Sequence, residues 1–290
     1  MIENNSKLAS IAAVALSAAI AIATGLGIES HNRAQREAEF DILAQRVIQR
    51  VGERIKLYEY GLRGARGAVI AVGPADLTRV RFQRYIASRN LADEFPGANG
   101  FGFIRRVAPE AIDTFVRTAR SDGHPDFTIR QLTSHAGDLA VIQYIEPEVS
   151  NASAFGLDIF SEPNRAEAAA ACELKDAPVL SGPITLVQKP GLKEGGILLM
   201  LPVFAEPVAP STPDARRGAA VGWVYAPLIL REVMSGFDFF DGAFSLAIDD
   251  VTPGFSATRA YSSEAFDNPP SAGLGKQYIS TLYERQWRYE

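Results

Sequence analysis

The sequence predicts an α+β fold, with an N-terminal transmembrane helix and a long stalk helix followed by two α/β units with antiparallel sheets. Three observations indicate this. Residues 8–28 carry no charged side chain, apolar residues between Phe40 and Val69 recur at helical spacing, and strand-like and helix-like runs alternate after Pro74. With 290 residues, 47% of them hydrophobic, the chain is long enough to bury a sizeable core.

The composition excludes several classes of function. The net charge of −5 offers no basic stripe for binding nucleic acid. One cysteine and three histidines are too few for the usual zinc sites, which excludes a structural metal on ligand count but leaves an all-oxygen site open. No metal ligand and no cofactor are predicted. The sequence contains none of the G-x-S-x-G, G-x-x-x-x-G-K-[ST] or H-E-x-x-H motifs. No catalytic residue is therefore predicted for this segment.

The uncharged run predicts a membrane anchor over residues 1–28. Its 21 residues span roughly 30 Å as a helix, the thickness of the hydrocarbon core. A cleavable signal peptide ending at Ala21-Ile22-Ala23 is the alternative, although such apolar regions are usually shorter. Both interpretations export the remaining chain, which predicts a periplasmic or extracellular domain of a single-pass or double-pass inner (plasma) membrane protein.

Residues 29–73 are predicted to form the stalk helix. They lack proline, and their apolar residues trace one helix face: Phe40, Leu43, Val47, Val51, Ile55, Tyr58, Leu62, Ala65 and Val69. Gly73-Pro74 should end the helix. The first half of this face predicts a homodimeric coiled coil through Phe40, Leu43, Val47 and Val51. A long core helix within one chain is the other interpretation, and both can hold.

Beyond Pro74 the pattern predicts two units, 74–206 and 207–290, divided near the proline-rich loop 205–218. Helices are expected near 77–89, 161–175 and 228–234. Strands are expected at 100–107, 127–132, 139–145, 179–188, 196–204, 219–225 and 244–248.

Between Val141 and Phe204 several short motifs follow one another in a fixed order. They are Tyr144-Ile145-Glu146-Pro147, Gly156-x-Asp158, Arg165, Leu180-Ser181-Gly182-Pro183, Gln188, Gly196 and Pro202-Val203-Phe204. This order resembles the CHASE domain, the extracytoplasmic sensory module of membrane-bound histidine kinases and nucleotide cyclases. The resemblance extends from Gly61 near the end of the stalk helix to the strand around Gly222.

The resemblance implies that both units are PAS-like and that the membrane-distal unit, 74–206, binds a small molecule. Asp158 stands where cytokinin receptors have an aspartate that contacts their ligand. The implied ligand-binding set is Asp158, Leu180, Leu201, Gly222, Val224, Tyr144 and Gln188.

The residues around Asp158 can also be interpreted without the resemblance. Asp158 lies between Leu157 and Ile159, and a carboxylate among apolar side chains needs hydrogen-bond donors. A ligand could supply these donors, in which case alanine at this position should affect binding and spare the fold. Alternatively, Asp158 caps the helical segment that begins near Ser161.

The resemblance predicts a small-molecule sensor domain of a transmembrane receptor, the N-terminal part of a histidine kinase or of a diguanylate or nucleotide cyclase. Ligand binding would pass across the membrane through the stalk helices. The expected ligand is purine-like or another small polar organic molecule. A membrane-anchored ectodomain for protein–protein assembly is the alternative, and a membrane-anchored hydrolase is a third class. Residues 276–290 resemble a late strand of the family, so the second unit is expected to continue beyond this chain.

Overall fold

The computed structural model describes residues 2–187, 195–237, 244–263, 266 and 274–290, and it describes side chains from residue 15 onward. Its contacts divide the chain into two units. The first contains the residues up to Gln49, and the second contains nearly all residues from Arg50 onward. Both sheets belong to the second unit.

Helix α1 is continuous from Ile2 to Val72 and combines the predicted anchor and stalk. It ends where predicted, because Gly73 has a φ of 88° and Pro74 follows. Within the second unit, the apolar face of α1 is fully buried: Val51, Ile55, Tyr58, Leu62, Ala65 and Val69. The predicted dimer seam needs correction, because Val47 and Val51 are already 5% and 0% exposed in the single chain.

The membrane anchor is not confirmed by the structure. Among the described residues, none of the helices contains an apolar stretch that meets the requirements for crossing a membrane. Part of the predicted segment 8–28 lies outside the described side chains, because those of residues 8–14 are not described. The anchor therefore stays a prediction.

The remaining helices are α2 (Arg79–Ala87), α3 (Leu91–Glu94), α4 (Ile112–Ser121), α5 (Glu148–Asn151), α6 (Pro163–Lys175), α7 (Pro213–Arg216) and α8 (Leu230–Val233). The strands are β1 (Phe101–Val107), β2 (Leu139–Glu146), β3 (Val179–Leu180), β4 (Ile197–Phe204), β5 (Ala220–Leu228), β6 (Ala247–Asp250), β7 (Thr258–Ser262), β8 (Tyr278–Leu282) and β9 (Arg285–Tyr289). Most predicted elements are present. The sequence pattern missed α3, α4, α5, α7 and β7, and the predicted strand 179–188 is shortened to β3. The predicted strand 127–132 forms only a single bridge, between Arg130 and Leu157.

The first sheet has the order β2-β1-β5-β4-β3, and its neighbouring strands are antiparallel. Strand β5 lies between β1 and β4. The sheet therefore draws on residues from both sides of the predicted boundary at 206/207, and the division between the two sheets falls later, between β5 and β6. The PAS-like character of the two units stays a prediction.

The second sheet has the order β7-β6-β9-β8 and is also antiparallel. Strands β8 and β9 form a hairpin whose turn residues Tyr283 and Glu284 have φ values of 45° and 72°. The single late strand expected over residues 276–290 is thus divided into the two strands of this hairpin.

The first sheet is covered on both faces. One face packs against α6 in a core cluster that includes Ile104, Met200, Trp223 and Tyr225. On the other face α1 passes closely, since a Cβ atom on Gly61 would lie 2.6 Å from the ring of Phe101. We call these the α6 face and the α1 face.

The β8–β9 hairpin joins the two sheets. Leu180 N–H, on edge strand β3, donates to the carbonyl oxygen of Tyr283 at 3.0 Å. The Tyr283 hydroxyl lies 2.6 Å from Glu59 Oε2 on α1. The hairpin turn therefore contacts both the first sheet and the long helix.

Candidate functional site

Asp158 lies at the β2 edge of the first sheet and has no exposed surface. Gly156, two residues earlier, has a φ of 74°, and a Cβ atom there would lie 1.9 Å from the carbonyl oxygen of Thr128. Only glycine fits this close approach. The segment then pairs with both neighbours: Asp158 N–H donates to Arg130 O, and Ile142 N–H donates to Leu157 O, each at 2.9 Å.

The two carboxylate oxygens of Asp158 have different partners. Oδ1 accepts backbone N–H groups from Ala140 at 2.9 Å and Phe160 at 3.1 Å. Oδ2 contacts side chains, Gln131 Nε2 at 3.0 Å and His135 Nε2 at 2.6 Å. Asp158 thus caps the short 3-10 turn Ile159–Ser161 through Phe160, whereas the helix α6 that follows is capped by Glu162. Oδ2, however, binds two residues of the segment that joins α4 to β2. We call residues 131–138 of this segment the 131–138 loop.

His135 is the ionisable group that contacts Asp158, and its side chain is 23% exposed. Burial by itself lowers the pKa of His135. The hydrogen bond to Asp158, the backbone contact with Ala136 and the negative charge of Asp158 outweigh burial, so the pKa is raised. Protonated His135 therefore binds the buried carboxylate, and this bond attaches the 131–138 loop to the sheet.

The loop contact predicts a pH-dependent stability difference between the wild type and His135→Gln. Because the pKa of His135 is raised on folding, its contribution is fully present below about pH 6.5, the unfolded value, and is lost as the pH rises through the folded pKa. Urea denaturation midpoints on both sides of this range measure the difference, with His31→Gln, a change at an exposed histidine, as the control. A difference that does not change with pH would contradict the proposed bond.

The structure places five of the other predicted site residues on the α1 face. Neighbouring strands pair Leu201 with Val224, Val224 with Phe103, and Phe103 with Tyr144. By register, Leu180 and Gly222 lie on the same face. The Tyr144 hydroxyl is already bonded to Asp122 Oδ2 at 2.6 Å. Leu180, Leu201, Gly222, Val224 and Tyr144 are therefore core residues on that face and are not grouped with Asp158. Gln188 lies outside the described residues.

The α6 face contains buried polar side chains that the sequence prediction did not include in the site, among them Arg165 and Tyr225. Arg165, in the first turn of α6, is 3% exposed, and its Nη2 donates to Thr185 O at 2.9 Å. The Nε atom of Arg165 lies 4.0 Å from Oε2 of Glu162, an acidic residue three positions earlier. Tyr225 on β5 is 1% exposed, and its hydroxyl has no hydrogen-bond partner in the described part of the chain.

These two side chains influence each other electrostatically. Burial lowers the pKa of Arg165 and raises that of Tyr225. The charge interaction between them opposes both shifts, because Tyr225 raises the pKa of Arg165 and Arg165 lowers the pKa of Tyr225. The Tyr225 ring lies over Gly102 on β1, where a Cβ atom would be 2.3 Å from Cε1. A buried donor without an acceptor is costly unless a bound molecule supplies one. The order of motifs identified Arg165, but no local pattern indicated the Tyr225 hydroxyl.

Residues 75–261 match the family model of the CHASE domain. Because this match covers more than half of the chain, the chain belongs to the CHASE domain family, which confirms the resemblance found in the sequence. The match begins after α1 and extends to β7. CHASE domains are sensory modules, and this agrees with a segment that is not itself an enzyme.

Among solved structures, the chain is similar to an extracellular ligand binding receptor from Desulfohalobium retbaense DSM5692, with a TM-score of 0.48 and 15% sequence identity. The alignment covers 87% of this chain and 39% of that receptor, so the chain spans well under half of the receptor's length. No curated protein sequence matches the chain.

Proposed function

We propose that this chain is the extracytoplasmic small-molecule sensor domain of a transmembrane signalling receptor. The observation that carries the proposal is the pair of buried donors on the α6 face, the Arg165 guanidinium and the Tyr225 hydroxyl, which has no hydrogen-bond partner among the described residues. A family of sensory domains needs a binding site, and a buried phenol without an acceptor is explained if a ligand supplies one.

The proposed ligand is a small polar organic molecule, purine-like or similar in size, that presents hydrogen-bond acceptors to Arg165 and Tyr225. Asp158 contributes from the sheet edge. Its Oδ1 is occupied by backbone amides, but a ligand N–H can replace Gln131 or His135 at Oδ2. Of the residues predicted from the family, Asp158 is the one that we keep in the site.

The proposed signal passes from the α6 face through the β8–β9 hairpin to α1. Arg66 on α1 pairs with Asp176, just after α6, at 2.8 Å. Tyr283 contacts Leu180 on β3 and Glu59 on α1. A ligand that shifts α6 and β3 would thus act on two points of the long helix, and it must prefer one of two arrangements to do so.

The proposal includes a membrane anchor over residues 8–28, a location outside the cytoplasm and a histidine kinase or nucleotide cyclase output module in the full receptor. It also includes a homodimer through the N-terminal half of α1. Because Val47 and Val51 are buried within the chain, this dimer depends on α1 residues before Val47, such as Phe40 and Leu43.

Tyr225→Phe tests the proposed site. The full chain in detergent is screened by thermal shift with purines, amino acids and carboxylates, since a ligand of the native state raises Tm. Loss of one hydrogen bond should weaken the best ligand about 3-fold to 10-fold. The unliganded variant should be as stable as the wild type, because its hydroxyl makes no hydrogen bond within the described chain.

Tyr85→Phe, which removes a hydroxyl that contacts Arg89 and lies outside the α6 face and the proposed signal path, is the matched control and should bind the ligand normally. Two results would contradict the proposed site. One is unchanged affinity in Tyr225→Phe, and the other is a less stable unliganded variant, which would show that the hydroxyl has an acceptor within the protein.

A further inference from the structure

A separate cavity lies beside helix α5, between this helix and the chain segment that joins α4 to β2. Its volume is about 250 Å³, and its lining includes His124, Asp126, Phe127, Glu148 and Phe155. We call it the His124 cleft. Asp158, Arg165 and Tyr225 are not among its lining residues, so it is distinct from the proposed sensor site.

Aromatic rings form the walls of the His124 cleft. The centroid of the His124 ring lies 4.4 Å from that of Phe155 and 6.5 Å from that of Phe127. Phe127 is buried and is held in place by Phe115, whose ring stands nearly perpendicular at 5.6 Å. Phe155 packs against the core cluster of the α6 face. Both phenylalanines are therefore fixed from behind by the fold.

The polar groups of the cleft include a carboxylate and an imidazole that face each other. Glu148 forms an ion pair with Arg79 through Oε2, which leaves Oε1 turned toward His124. His124 Nε2 lies 3.6 Å from that oxygen, beyond hydrogen-bond distance, and this buried nitrogen has no hydrogen-bond partner among the described residues. Burial, assisted by Arg79, lowers the pKa of His124 against the opposing effects of Glu148 and Asp122.

The imidazole of His124 is therefore neutral at neutral pH, and one of its ring nitrogens is a hydrogen-bond acceptor. The described lining residues also include the carboxylates of Asp126 and Glu148 and no cationic side chain, since Arg79, which pairs with Glu148 Oε2, is not among them. Aromatic faces, an acceptor nitrogen and a carboxylate together are the groups that recognise an organic cation.

We propose that the His124 cleft binds a small organic ammonium ion. Its N–H groups donate to Glu148 Oε1 and His124 Nε2, and its carbon body lies against Phe127 and Phe155. The volume limits the ligand, because pockets for drug-sized molecules usually measure about 300 to 1,000 Å³. A monoamine with a single ring fits this limit. The site is additional to the proposed sensor site and does not depend on it.

Isothermal titration calorimetry of the full chain in detergent tests the proposal with phenethylamine, which is protonated at neutral pH. 2-Phenylethanol has the same carbon body without the charge. We expect phenethylamine to bind at least tenfold more tightly, because its charge-assisted hydrogen bonds are lost in the alcohol. Equal affinity for the two molecules, or no measurable binding of the amine, would overturn the proposal.

Three variants identify the site of binding. Glu148→Gln should weaken phenethylamine roughly 10-fold to 100-fold, and Glu110→Gln, at an exposed carboxylate, is the matched control. Phe155→Leu keeps an apolar side chain but removes the ring face, so it should also weaken binding. Melting curves establish that each variant is folded.

Tyr225→Phe separates this site from the proposed sensor site and should leave phenethylamine affinity unchanged. If Tyr225→Phe weakens the amine and Glu148→Gln does not, the amine occupies the α6 face and the His124 cleft is not its site. Loss of purine or carboxylate binding in Tyr225→Phe bears only on the sensor proposal.

Discussion

Arg285→Leu is expected to lower the free energy of unfolding by about 3 to 5 kcal/mol. The Arg285 guanidinium and the Asp250 carboxylate are 4% and 2% exposed, and Arg285 Nε donates to Asp250 Oδ2 at 2.7 Å. Removing the arginine leaves a buried carboxylate without its charge partner. The loss should appear as a lower urea midpoint in denaturation followed by circular dichroism.

The matched control is Arg288→Leu, on the same strand. Arg288 pairs with Asp249 at 2.7 Å, but its side chain is 33% exposed, and Asp249 keeps a second partner in Arg259. A much smaller loss is expected. The double replacement of Arg285 and Asp250 by leucine should recover much of the stability lost in the single variant, because no unpaired charge remains. Equal losses in Arg285→Leu and Arg288→Leu would contradict a buried pair.

Asp158→Ala is expected to lower the free energy of unfolding by about 3 kcal/mol, because two buried N–H groups lose their acceptor at roughly 1 to 3 kcal/mol each. These groups belong to Ala140 and Phe160. From the sequence, alanine is expected to spare the fold if a ligand supplies the donors and to lower stability if Asp158 is a cap; the two backbone N–H groups on Oδ1 favour the loss of stability. Thermal and urea denaturation of the full chain measure the loss.

Asp158→Asn is the matched variant, because its amide oxygen can still accept from both backbone groups. Its loss should be about 1 kcal/mol, since only the charge-assisted contacts with Gln131 and His135 are weakened. An Asp158→Ala variant as stable as the wild type would show that Oδ1 does not hold these two amides.

The sequence identified Asp158 through the Gly156-x-Asp158 motif of the CHASE resemblance and, independently, as a carboxylate between two apolar residues. Its contact with Phe160, two residues away, follows from the capping pattern. Its contacts with Gln131 and His135 join residues more than 20 positions apart. No periodicity encodes these contacts, since they depend on how the 131–138 loop folds back over the sheet edge.

The positions of the other predicted site residues could not be predicted from the sequence for a related reason. Strand β4 is buried at every position from Ile197 to Phe204, and β5 at nearly every position. A strand covered on both faces lacks the alternation of polar and apolar residues that would reveal its orientation. The sequence could not show that Leu201 and Val224 face α1, whereas Tyr225 faces α6.

The sequence by itself determined the long helix, its end at Gly73-Pro74, most of the strands and the family. These features depend on residues that are close in the chain, or on short motifs in a fixed order, and local patterns record both. Only the tertiary structure decided that β5 lies between β1 and β4 and that His124 meets Phe155 across a cleft. Such pairings depend on the packing of distant segments, where many arrangements satisfy the same local pattern and burial selects one of them.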